Sequence, residues 1–133
     1  MNFLAIILGA VLNMAIGFFW YSPKMFGRAW MESLGKSEKE FEEMKKGANK
    51  AYAFGFLGAL VMSLVLSALV SLTQAEGVLD GVFIGIICWA GFIATTAFNS
   101  CLFSSKPMKQ AAIDAGYYLA ALIVMGVVIS VWR

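Results

Sequence analysis

The chain has 133 residues, of which 61% are hydrophobic and 14% charged, with a formal net charge of +2. An ordinary soluble domain carries roughly 25% charged residues, so a water-soluble globule is excluded, and the wealth of apolar side chains excludes a disordered chain. With no histidine, two cysteines and lysines that alternate with glutamates, the sequence leads us to expect no metal, no cofactor and no nucleic-acid partner.

A membrane-crossing helix needs about 20 mostly apolar residues. Four stretches qualify, at residues 3–21, 51–73, 79–103 and 110–132. Backbone polar groups in lipid must be bonded internally, so these read as helices. The expectation is one all-α, polytopic integral-membrane domain of four transmembrane helices, with a helical connection over residues 22–50.

The first stretch has no lysine or arginine before Phe3 and no small-x-small site after it, and it reads as a permanent helix. Ala5, Gly9, Asn13 and Gly17 recur at every fourth position, with Asn13 near mid-depth. Trp20 and Tyr21 suit the headgroup level, and Pro23 ends the helix. Met25, Phe26, Trp30, Met31 and Leu34 then recur at near-helical spacing, with Lys24, Arg28 and Glu32 among them. This predicts a short helix along the interface, its apolar side toward lipid, closed by Gly35. Ser37 followed by Glu40 fits a capping box, opening a charged spacer helix that runs to about Lys46, with Gly47 as its stop.

Small residues line the second span at Ala51, Gly55, Ala59, Ser63, Ser67 and Ser71. Such rows let backbones approach closely in lipid. This one serves either packing within one chain or a self-association surface. The third span carries Gly81-x-x-x-Gly85, and places Cys88 and Cys101 about 20 Å apart on one helix, too far for a disulfide. Thr95, Thr96 and Asn99 follow in its later part. After the Lys106-Pro107 turn, Asp114 lies about a turn inside the fourth span, followed by Tyr117.

Seven of the ten lysines and arginines fall in the first connection, Lys106 and Lys109 fall in the third, and only Arg133 lies on the opposite side. This bias predicts a plasma (inner) membrane protein with both termini on the non-cytoplasmic side. Polar groups inside spans are candidate functional positions, here Asn13, Asn99, Asp114 and Tyr117. Asn99, Asp114, Tyr117, Trp20 and Arg28 lie at depths that allow one cluster. Asp114 could bind a cation or carry a proton, or could complement its own helix end or pair with Arg28, Lys106 or Lys109. Asn13 could equally be an interhelical hydrogen-bonding group.

Three functional readings follow. The first is a non-enzymatic, homo-oligomeric or partner-binding protein of the lipid bilayer. The alternative is a channel or transporter subunit that moves an ion or small solute past Asn13, Asn99 and Asp114. The third is a lipid-processing enzyme built on Glu32, Asp114, Tyr21 and Ser22, for which no nucleophile–base spacing is visible.

Trp20-Tyr21-Ser22-Pro23, Phe26-Gly27, Trp30-Met31, Trp89-x-Gly91-Phe92 and Gly116-Tyr117 together resemble the family known as domain of unknown function 1761. The resemblance runs over essentially the whole chain. It implies a small four-helix membrane protein and carries no activity. Size and helix count are also similar to small multidrug transporters, but those hold a glutamate in the first helix where this chain has Asn13. The fluoride-channel signature is absent.

Overall fold

The computed structural model describes residues 2–132, so Arg133, the one cation expected on the terminal side, lies outside the described residues. Eight helical segments form, and no strand is present among the described residues. They are α1 (Phe3–Trp20), α2 (Gly27–Ser33), α3 (Glu38–Lys45), α4 (Ala48–Thr73), α5 (Gly77–Cys88), a π-helical turn (Trp89–Ala94), α6 (Thr95–Phe103) and α7 (Met108–Val131). α5, the π-helical turn and α6 run continuously, so four helices are long and apolar enough to cross a membrane. This is the all-α, four-span architecture the sequence predicts, and span limits differ by at most a few residues.

The helix ends have local causes. Asn2 caps α1 by accepting the Leu4 and Ala5 N–H groups, and its own amide donates to the Trp132 carbonyl at 3.2 Å. This bond brings the two ends of the chain together at one end of the bundle. Ser37 Oγ accepts the Glu40 N–H at 3.3 Å, the cap its spacing foretold. Gly35 follows α2 with a φ of +66°, a left-handed stop. Gln74, also left-handed, ends α4 before the short turn to α5. There a second acid inside a span, Asp80, accepts the Glu76 N–H at 2.9 Å in the first turn of α5; only Asp114 stood out from sequence.

α7 is the hub. It packs against α5, α1 and α4, while α1 also packs against α4. Leu66 and Val70 of α4 meet Ala121, Leu122, Met125 and Ile129 of α7 in the core. The α5–α6 span leans chiefly on α7: 11% of its apolar stretch is buried within the protein, against 28–33% in the other three.

The small-residue rows are largely used inside the chain. Ser63 donates to the Ile6 carbonyl at 2.7 Å, and a Cβ on Gly9 would stand 2.6 Å from Ser63 Oγ. A Cβ on Gly81 would lie 2.5 Å from the Gly126 carbonyl oxygen, and one on Gly85 2.6 Å from that of Leu122. α5 and α7 therefore touch backbone to backbone. Of the small-residue row on α4, Ala59, Ser63 and Ser67 are buried, while Ala51, Gly55 and Ser71 are exposed. A four-residue step overshoots a full turn by about 40°, so six such residues cannot share one contact.

Candidate functional site

Residues 20–27 form a knot. Phe26 N–H donates to the Trp20 carbonyl, and Met25 and Gly27 N–H both donate to that of Ser22, each at 3.0 Å. Gly27 is required because a Cβ there would stand 2.8 Å from the Ser22 carbonyl oxygen. Ser22 Oγ donates to the Phe19 carbonyl at 2.7 Å. The knot turns Trp20 inward, where its indole N–H donates to the Ile113 carbonyl at 2.9 Å and its ring covers Gly116. Phe26 stacks on Trp20 at 4.7 Å, and Trp30 meets the Tyr21 ring edge-on at 5.5 Å. α2 also packs on α7, while Met25 and Phe26 before it stay exposed. α7 offers the Trp20 indole a carbonyl and a glycine surface.

Across α7, Trp89 donates its indole N–H to the Ala115 carbonyl at 2.7 Å. Two tryptophans therefore grip α7 at neighbouring carbonyls, each with a lone pair to spare beyond its helical bond. The π-helical turn begins at Trp89, and the Thr95 and Thr96 hydroxyls back-bond to the Gly91 and Phe92 carbonyls at 2.8 and 2.6 Å. Sequence reading treated this stretch as an ordinary helix. Its one local signal was the pair of threonines after Trp89-x-Gly91-Phe92.

Between the two tryptophans lies the polar cluster. Tyr21 Oη donates to Asp114 Oδ1 at 2.5 Å, and Lys106 Nζ reaches Asp114 Oδ2 at 3.4 Å. Burial and the Asp114 hydrogen bond raise the Tyr21 phenol above its ordinary range. Tyr117 Oη donates to Asn13 Oδ1 and stands 3.2 Å from the Asn13 carbonyl oxygen, while Asn13 Nδ2 points to Met125 Sδ at 3.4 Å. Asn13, 3% exposed, is thus satisfied in a dry contact between α1 and α7.

The structure brings Asp114, Tyr117, Asn13 and Trp20 together, and adds Tyr21 and Lys106. It does not bring in Asn99, which is exposed on α6, because the wider π-helical turn shifts the helical register beyond Ala94. Arg28 is also exposed and forms no ion pair with Asp114; Lys106 takes that place. Glu32 is exposed, and the Ser22 hydroxyl is spent on a carbonyl.

Tyr21 and Tyr117, with ring centroids 5.7 Å apart, form a partition between two cavities. One, of about 1060 Å³, lies between the loop-side ends of α1 and α4 under the α2–α3 connection. Its floor is apolar and aromatic, with Met14, Phe18 and Tyr52; its rim carries Arg28, Glu38, Lys39, Glu42 and Lys45. Trp30 is in its wall, and the indole nitrogen is buried with no hydrogen-bond partner. The other cavity, about 610 Å³, opens sideways over α7 and is lined by Asp114, Lys106, Thr96 and Ser100 above an apolar wall.

A family model described as a protein of unknown function (DUF1761) matches residues 4–130. The chain belongs to that family. No curated protein and no solved structure matches the chain.

Proposed function

We propose that this member of the DUF1761 family is a non-enzymatic membrane protein that works by binding, with its site in the cavity under α2 and α3. The observation that carries the reading is that cavity's build: an apolar, aromatic lining from Met14, Phe18 and Tyr52, with Arg28, Lys39 and Lys45 among its charged residues. The cavity suits an amphiphile with an apolar body and an anionic head. The body lies against Met14, Phe18 and Tyr52, and the head faces Arg28.

A long-chain carboxylate bearing a photoreactive diazirine tests this. Crosslinks concentrated on Phe18, Met31 and Tyr52, and weakened in Arg28→Gln, are expected. Crosslinks spread evenly over the exposed Phe83, Phe92 and Phe98 would sink the reading. The nine-to-one bias of lysine and arginine supports placing this cavity on the cytoplasmic face of the plasma membrane. Self-association through the exposed Ala51 and Gly55 of α4 belongs to the same reading.

A further inference from the structure

The sideways cavity stands independently of the amphiphile site. Its wall presents opposite charges side by side, Lys106 Nζ and Asp114 Oδ2 at 3.4 Å, with the two side chains 34% and 26% exposed. Neither group is saturated. The ammonium has three donors, and the carboxylate has roughly four acceptor positions, of which Tyr21 and Lys106 occupy two. Beside the pair the wall is apolar, through Met62, Ile93, Ala97 and Ala111. The opening exists because α4 and the third span each pack on α7 and scarcely touch one another.

We infer that this cavity seats a zwitterionic phospholipid with a primary ammonium, its ammonium at Asp114, its phosphate at Lys106 and an acyl chain along Met62 and Ile93. The depth fits: Lys106 lies in the turn before α7, and Asp114 is about 9 Å along that helix, at the border between headgroup and hydrocarbon. The chemistry discriminates among lipids. A purely anionic head meets the Asp114 carboxylate and is repelled. A quaternary ammonium has no N–H to donate to it. A soluble zwitterion leaves the apolar wall bare, so the lipid is the better occupant.

Native mass spectrometry of the protein released from nanodiscs tests this, using equal parts of phosphatidylethanolamine, phosphatidylcholine and phosphatidylglycerol. Wild type should retain the ethanolamine lipid in preference to both others. Asp114→Asn should cut its preference over the glycerol lipid roughly tenfold, the worth of one charge-assisted hydrogen bond. Lys106→Gln, in an exposed turn where folding is not at stake, should weaken retention of the ethanolamine lipid by a similar factor. Equal retention of all three lipids by wild type, or a preference untouched by Lys106→Gln, overturns the inference. Displacement of the lipid by an equal concentration of soluble phosphoethanolamine overturns it too, by making the acyl chain irrelevant.

Discussion

Asp114 is held by two donors that differ in kind. Tyr21 gives a short, half-buried hydroxyl hydrogen bond from just beyond the first span, whereas Lys106 gives an ion pair from a turn. Losing the first leaves a carboxylate oxygen less well satisfied, so Tyr21→Phe should lower stability by about 1–3 kcal/mol. The ion pair, at 3.4 Å and about a third exposed, is worth less, and Lys106→Met should cost below about 1 kcal/mol. Thermal unfolding in detergent measures both, and a larger loss from Lys106→Met would reverse the ranking. The raised Tyr21 pKa also sets a pH dependence. The folded protein holds the phenol proton more tightly than the unfolded chain, so its stabilisation is complete below the unfolded pKa of about 10. It is lost as pH rises from there through the folded value. Alkaline melting should therefore be steeper in wild type than in Tyr21→Phe, and parallel melting profiles would exclude this linkage.

At the scale of helices, the closest approach is between α5 and α7, where Gly81 and Gly126 meet backbone to backbone. No flexible side chain is there to yield, so Gly81→Leu should force the two helices apart and cost about 1–3 kcal/mol or more. Loss of thermal stability with Trp89 fluorescence shifted to the red is the expected readout, and an unchanged melting point would show that the contact is dispensable. Ala59→Leu with Ser63→Leu likewise acts inside the chain, because Ser63 is bonded to Ile6 and pressed against Gly9. The four spans, the Ser37 cap and the Gly35 stop were legible in the sequence because each depends on neighbours a few residues away. Asp114 and Tyr117 stood out because polar groups are rare in apolar runs. The exact partners of Trp20 were not legible, since Ile113 and Gly116 lie more than 90 residues along the chain. Nor was the exile of Asn99, which follows from a single π-helical turn.

For the molecule as a whole, surfaces already spent within one chain limit how copies can meet. Self-association has to use what remains, and Ala51, Gly55 and Gly58 on the loop-side half of α4 are exposed. Gly55→Leu with Gly58→Leu should reduce an assembled mass to the 14.4 kDa monomer without loss of fold. A mass that does not change removes that face. The hub position of α7 has a further consequence, for synthesis. Chains are made from the N-terminus, and α7 follows the three spans it joins. Until it emerges, α1 and α4 are the only spans with a mate, and the third span waits in the bilayer without one. A nascent chain arrested before Met108 is therefore a pair and a stray, open to membrane quality control. The whole bundle closes in one late step, when α7 slides between helices already inserted on either side of it.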